Sequence, residues 1–436
     1  MPKVAFYTLG CKVNQYESAA MAELFENRGY TIVDFDSEAD VYIINTCNVT
    51  NESARKSRQI IRKAIRSNPT AKIAVVGCYA QTNADEILKI PGVSVILGTK
   101  DRQKIVDLLQ QSDKTEAPVV DIKNVMKEET FEEIAVKGHR QKTRAFLKIE
   151  DGCNMFCSYC IIPYTRGPVR SRMLNNILNE AENLAKDGFK EIVLTGIHLG
   201  LYGTDLKDKT SLLDVISEIA KIQGIERIRL SSIEIIELTD EFLLGLSKID
   251  KFCHHFHVPL QSGCDSVLQR MNRRYTTVEF AERVSRIREL LPDASITTDV
   301  IVGFPGETDE EFEQTKNFIK AIDFSKLHVF PFSPRKGTPA AAMTNQVEKD
   351  IKSTRCHELL KLSEKLEGNF RNKFLNSSQK VLFEDKTSNG LYEGFTENYI
   401  KVVAPSISNA DLHNKIACVK LIKNLNDCVY GEIAEP

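Results

Sequence analysis

Cys153, Cys157 and Cys160 stand close together in the run DGCNMFCSYCIIPY, spaced C-x3-C-x2-C. Three thiolates on one loop can hold three corners of a cubane iron–sulfur cluster, which ordinarily takes four, so one iron would stay open to bind something else. A second trio lies upstream. Cys11, Cys47 and Cys78 are far apart in sequence, but each directly follows a strand-like run, YTLG, IINT and AVVG. Ligands of open parallel sheets gather at the carboxyl ends of strands. The three sulfurs are therefore expected along one sheet edge, close enough to share a site, with Gly10 and Gly77 permitting close backbone approach. The alternatives are three inert buried thiols or a zinc site. Structural zinc closes four ligands, and no fourth Cys or His stands at a comparable position. The other five cysteines, Cys253, Cys264, Cys356, Cys418 and Cys428, show no ligand spacing and read as small buried hydrophobes. Beside Cys253, the residues His254, His255 and His257 alternate faces along a strand and cannot all converge. One inward histidine lining a pocket is expected there, and a metal site is not.

These residues need a scaffold. Over residues 1–114, strand-like runs VAFYTLG, VYIINT, IAVVG and VSVILG alternate with amphipathic helical segments, the pattern of a parallel α/β sheet. Residues 112–138 are charged, contain Pro118 and read as a linker with a lead-in strand. From 139 to 369 the alternation restarts with AFLKIE, EIVLTG, RIRLSS, HFHVPL, SITTDVIVG and KLHVFPF. Six β–α units predict a partial (βα)6 barrel, with the Cys153 loop at the carboxyl end of its first strand, where such barrels build active sites. Phe156 and Tyr159 are placed to shield the ligands. A long helix leads to residues 372–436, whose short strands and turns predict a small antiparallel β-barrel.

Composition sets the class. At 436 residues, 42% hydrophobic and 27% charged, the chain reads as an ordinary globular protein of two to three domains. A net charge of −2 gives no global basic field, so nucleic-acid binding must rest on local patches. No apolar run approaches the ~18 residues of a membrane helix, and the N-terminus shows no signal-like segment. A cytoplasmic location is expected, where eleven cysteines favour metal ligation over disulfides.

The Cys153 loop resembles the signature of the radical S-adenosylmethionine (SAM) superfamily. The resemblance implies a 4Fe–4S cluster whose open iron is chelated by the amino and carboxylate groups of SAM and whose electron splits SAM to a 5′-deoxyadenosyl radical. It further implies SAM contacts at Gly196 in LTGIHLGLYG, near the methionyl end, and at Val302 and Gly303 in TDVIVGFPGET, near the adenine. With Cys11, Cys47 and Cys78 ahead of that loop and a terminal barrel like the substrate-gripping TRAM domain, the whole chain resembles the methylthiotransferase family. That implies a second 4Fe–4S cluster on the upstream cysteines, two uses of SAM, a reducing electron-donor protein, no membrane, and methylthiolation of an unactivated carbon. Family members act on adenosine 37 of tRNA or on an aspartate of a ribosomal protein. GCKVNQYES, NTCNVTNESARKSRQIIR, VVGCYAQ and CSYCIIPYTRGPVRSR look like the branch that modifies threonylcarbamoyladenosine. The isopentenyladenosine branch usually reads GCQMN, from which Lys12 and Val13 depart.

Binding of a tRNA anticodon stem-loop finds physical support in ARKSRQIIRKAIR. On a helix Arg55, Arg58, Arg62 and Arg66 fall three or four apart and line one face, while Ile60, Ile61, Ala64 and Ile65 pack. A phosphate backbone could follow such a face. Arg140, Lys142 and Arg144 form a second basic patch. Arg166, Arg170 and Arg172 are expected to contact phosphates or the SAM carboxylate. The terminal domain carries seven Lys and Arg against eight Asp and Glu from residue 372 on, so RNA binding there would fall to clustered lysines or to Tyr392, Phe395 and Tyr399 stacking on bases, unless these are core.

Overall fold

A computed structural model of the protein describes residues 1–134, 143–406 and 410–434. Its first sheet contains β1 (Lys3–Thr8), β2 (Thr31–Val33), β3 (Val41–Thr46), β4 (Lys72–Gly77), β5 (Val95–Leu97) and β6 (Val119–Asp121). All pair in parallel, in the order β2-β1-β3-β4-β5-β6. VYIINT is buried along its whole length, as a central parallel strand covered on both faces must be. The stretch read as a linker contributes β6, so the sheet runs on past residue 114. Helices α1 (Lys12–Asn27), α2 (Asn51–Ser67) and α3 (Cys78–Leu88) follow β1, β3 and β4. In α2, Thr50 caps the amide of Ser53, and Ala54, Ser57, Ile61 and Ala64 form the buried stripe.

The second unit opens with β7 (Arg144–Lys148) and the short antiparallel pair β8 (Glu150–Asp151) and β9 (Arg170–Ser171). It continues through β10 (Glu191–Thr195), β11 (Arg227–Leu230), β12 (His255–His257), β13 (Ser295–Val302) and β14 (Lys326–Pro331). The expected six strands form two parallel triplets, β7-β10-β11 and β12-β13-β14, bridged between Ile228 and Phe252. The arc leaves β7 and β14 as free margins, and the first domain attaches to both. At β7, Tyr16 and Glu17 of α1 bond Glu180 and Lys148. Beyond β14, the Asn51 amide donates to Ser333 Oγ at 3.0 Å, and Arg335 donates to Asn48 and Asn51.

Helix Lys349–Lys373 leads to a closed barrel of β15 (Ser378–Lys386), β16 (Tyr392–Thr396), β17 (Lys401–Ala404), β18 (Ile416–Asn424) and β19 (Val429–Ile433). It is antiparallel except for the closing pair β17–β19. Buried arginines of β11 fasten it to the arc: Arg227 donates to Phe395 O at 2.9 Å and Lys380 O at 2.7 Å, and Arg229 to Glu397 O at 2.9 Å. No helix among the described residues is long and apolar enough to cross a membrane.

Candidate active site

Cys11, Cys47 and Cys78 emerge from the carboxyl ends of β1, β3 and β4, three adjacent strands paired in register up to Thr8–Asn45 and Thr46–Gly77. Neighbouring strands lie ~4.8 Å apart, so three adjacent ends span about 10 Å. Gly10 and Gly77 take φ of +102° and +91°. A Cβ on Gly10 would sit 3.2 Å from Cys47 Sγ, and one on Gly77 would strike Asn45 Oδ1 at 2.3 Å, so only glycine permits these turns. Cys11 caps α1 and Cys78 opens α3, which directs the positive ends of two helices at the sulfurs. Burial raises the Cys11 thiol, with Arg166 opposing it, and pushes Cys78 up to about 12; Cys11 feels the charge of Cys47, and Cys78 that of Cys47 and Cys11. Cys11 reaches water through the cavity described below, although protein surrounds its sulfur.

The second trio sits on the loop after β8. Gly152, at φ +92°, turns the chain where a Cβ would lie 1.9 Å from Pro168 O. The loop is anchored by Cys153 N to Gly167 O at 3.0 Å and by Ser158 N to Met271 O at 2.9 Å. Burial raises Cys160 to about 12, and Cys157 and Cys153 add to the shift. Two side chains that the sequence reading did not single out contact this trio. His198 Nδ1 lies 3.4 Å from Cys153 Sγ, and its Nε2 lies 2.8 Å from Glu237. Burial opposes its charge, but these two partners carry His198 up to about 10. Arg273 donates to Cys157 Sγ at 3.6 Å and is held by Glu234. The signal for His198 was its place two residues after Gly196; nothing local marked Arg273. Of the expected shields, Tyr159 packs inside, whereas Phe156 is 38% exposed and meets Tyr164 edge-on.

No three His, Cys, Asp or Glu side chains among the described residues are set to grip a single ion. Three thiolates at each site are the donor type that a cubane iron–sulfur cluster takes.

The arginines after the cluster loop do not meet solvent. Arg166 is fully buried, bonds Glu17 at 2.7 Å and Asp151 at 3.1 Å, and donates to Asn14 Oδ1 at 2.7 Å. Asn14 in turn donates to Leu9 O and Thr46 O, the backbone just ahead of Cys11 and Cys47. Arg170 is buried against Pro168 O and Asp151, and Arg172 against Glu133 and Glu180. None is free for phosphate: each is paired with a carboxylate, and Arg166, through Glu17 and Asn14, joins the two cysteine sites. Arg144 is likewise spent on Glu384 and Tyr399, while Arg140 and Lys142 lie outside the described residues.

Where the three domains meet, a cavity of about 660 Å³ opens. Cys11, Lys12 and Gly196 line it, with His255 and His257 from β12, Asp299 from β13, and Phe395 and Tyr399 from the terminal barrel. Two of the three histidines therefore face inward, two apart on one strand. Phe395, Tyr399 and His255 stack at 4.8 and 4.7 Å between centroids. Tyr399 is thus sandwiched rather than open to a base, and Tyr392 is barrel core. Val302 points into the hydrophobic core, as the alternation from inward Ser295, Thr297 and Asp299 requires. The Gly303 amide is spent on Glu307 Oε1 at 2.8 Å; neither residue lines the cavity with Gly196. Beneath Gly196, Glu150 Oε2 accepts the His198 amide at 2.7 Å while Oε1 is buried without a partner, and burial raises this carboxyl to about 8. Burial, with Arg229 and Arg144 nearby, lowers Lys12 to about 8.

On α2, Arg55 pairs with Glu52 and Arg58 with Tyr79 and Glu86, whereas Arg62 and Arg66 are exposed with no ion pair among the described residues. Ile61 and Ala64 are buried, and Ile60 and Ile65 pack beside them.

Residues 3–98 match the uncharacterized protein family UPF0004, and residues 147–319 the radical SAM superfamily. The chain is 46% identical over 97% of its length, and 94% of the relative, to the threonylcarbamoyladenosine tRNA methylthiotransferase MtaB of Bacillus subtilis. It is 35% identical to a tRNA-2-methylthio-N(6)-dimethylallyladenosine synthase of Clostridium tetani, over 98% of this chain and 95% of that one. Among solved structures it resembles in fold the radical SAM methyltransferase TsrM of Kitasatospora setae, at 16% identity and TM-score 0.57, covering 78% of this chain and 77% of the other.

Proposed function

From the premise that the chain belongs to the radical SAM methylthiotransferase family, we propose that it methylthiolates carbon 2 of threonylcarbamoyladenosine at position 37 of tRNA. In this reading Cys153, Cys157 and Cys160 hold one 4Fe–4S cluster beside SAM, and Cys11, Cys47 and Cys78 hold a second. The observation that carries it is a shared cavity. Cys11 lines the space that Gly196 also lines, and the turn after Gly196 is tied to the Cys153 loop through His198. When bound, the clusters and SAM supply the radical that activates a C–H bond and the sulfur that joins it, chemistry no side-chain base can perform.

The protein's own part is placement and exclusion of water. Gly10, Gly77 and Gly152 shape the cysteine turns, and Asn14 with Arg166 braces two of them. Glu150, through Oε2, holds the His198 amide and so fixes the turn after Gly196. Aromatic side chains of the terminal barrel close the cavity floor. A reducing electron-donor protein supplies the electron.

Nucleosides of tRNA from a strain lacking the gene test the substrate directly. Loss of the methylthio derivative of threonylcarbamoyladenosine, with its unmethylthiolated precursor accumulating, is expected. An unchanged level, or loss of the isopentenyladenosine derivative instead, overturns the assignment.

The exposed arginines of α2 give a second prediction. Each phosphate contact contributes a slope of about 0.7–0.9 in the dependence of log affinity on log salt. The Arg62→Ala, Arg66→Ala double variant should therefore bind the anticodon stem-loop more weakly and with a slope smaller by about 1.5. An unchanged slope removes α2 from the RNA path.

A further inference from the structure

Of the four lysines and arginines that line the central cavity, three are neutralised. Lys326 and Arg371 share Glu367, at 3.3 and 3.0 Å, and Lys401 pairs with Glu393 at 2.9 Å. Lys12 has no carboxylate within ion-pair range among the described residues. Its electrostatic neighbours are Arg229 and Arg144, opposed by Glu191 and by the Cys11 thiolate; Glu191 is already committed to Arg229 at 2.7 Å, and Cys11 is assigned to the upstream cluster. A cation held inside a cavity beside other cations, with no carboxylate paired to it, is costly unless an anion comes to it. The nearby acids do not supply one: Asp299 faces His257 at 3.3 Å.

Position identifies the anion. Lys12 follows Cys11 directly, so their Cα atoms are about 3.8 Å apart. On the proposed function, carbon 2 of the modified adenine lies toward the Cys11 trio. In adenine, carbon 2 and the N6 nitrogen flank N1 along one edge of the ring. A substituent on N6 therefore projects past the reacting carbon by a few bonds, within the sweep of a lysine side chain rooted one residue from Cys11. A phosphate of the backbone lies on the other side of the nucleoside, beyond the sugar. We propose that Lys12 is a specificity-determining residue that binds the carboxylate of an amino-acid-bearing N6 substituent, so that the cavity selects adenosines carrying a negative charge there. This rests on the function proposed above and narrows it to the side chain that reads the modification.

The test measures binding, without SAM, of the reconstituted holoenzyme to two anticodon stem-loops that differ only in the threonylcarbamoyl group on adenosine 37. Wild type should bind the modified loop about 10- to 100-fold more tightly, the size of one charge-assisted hydrogen bond. In Lys12→Gln that ratio should fall to near one, and Lys12→Arg should restore most of it, with iron content and melting temperature confirming that both variants are folded and loaded. A third loop, with the carboxylate converted to an amide, should bind wild type like the unmodified loop. A ratio near one in wild type, or a ratio that survives Lys12→Gln, overturns the inference. An equal loss for both loops assigns Lys12 to a phosphate and overturns it too. In a separate titration with SAM alone, a Lys12→Gln loss confined to SAM affinity assigns the side chain to the SAM carboxylate, with the same consequence. Failure here with the deletion-strain nucleosides as expected refutes the role of Lys12 alone; unchanged nucleosides refute the functional reading beneath it.

Discussion

Alanine at Cys11, Cys47 or Cys78 should abolish methylthiolation of tRNA while reductive SAM cleavage remains measurable, with iron content falling toward half. Alanine at Cys153, Cys157 or Cys160 should abolish SAM cleavage as well. The asymmetry follows from the layout. The upstream trio is rooted in β1, β3 and β4 of one domain, and the loop trio follows β8 of another, with its own anchors at Gly167 and Met271. Each trio can lose a ligand without unseating the other. Iron quantification and detection of 5′-deoxyadenosine, run beside nucleoside analysis, separate the two classes. Upstream variants that still methylthiolate would remove the second cluster from the mechanism.

The largest stability effect is expected at Glu17. Its carboxylate is 3% exposed and faces Arg102 at 3.0 Å, Lys148 at 2.8 Å and Arg166 at 2.7 Å, joining α1 to the loop after β8. Burial works against the charge, but Arg102, Arg166 and Lys148 together hold the carboxyl below its usual range. Removing one partner of a buried ionic group leaves the others uncompensated and costs ~3–5 kcal/mol. Glu17→Ala should lose about that much, read from thermal or denaturant unfolding. The sign with pH follows from linkage. A carboxyl with a depressed folded pKa stabilises fully above its unfolded value near 4.3 and loses that contribution as pH falls through the folded pKa. The gap in stability between wild type and Glu17→Gln should therefore be widest near neutrality, begin to narrow as pH falls below about 4.3, and close only as pH passes the folded value of about 2. A gap that widens in acid contradicts the charge network.

Much of the site was legible because its signals are local. A cysteine after each of three strand-like runs fixes three carboxyl ends, and parallel pairing brings those ends together whatever the rest of the chain does. The C-x3-C-x2-C loop is self-contained in the same way. The residues misread as a basic face are buried against carboxylates, several of them far away in sequence. Arg166, Arg170 and Arg172 look like a basic stretch, but Glu17 lies 149 residues from Arg166 and reaches it only once two domains dock. Arg144 meets Glu384 240 residues away. Charge along a segment cannot tell a solvated face from an interdomain lock. A strand is expected between 112 and 138 only as a lead-in, and its membership of the first sheet is not legible because Val119–Asp121 is a three-residue edge strand in a charged surrounding, too short for any periodicity to register. Lys12 stood out only as a departure from a related motif; that it lacks a paired carboxylate emerges when the other cavity cations are seen with theirs.

Iron counting on the anaerobically reconstituted wild-type protein tests the central claim most directly, with Mössbauer spectra to identify the cluster type. Two cubane clusters on two trios of thiolates require about eight irons per chain, all in 4Fe–4S form. A fully reconstituted, SAM-cleaving protein that holds only four would contradict the account.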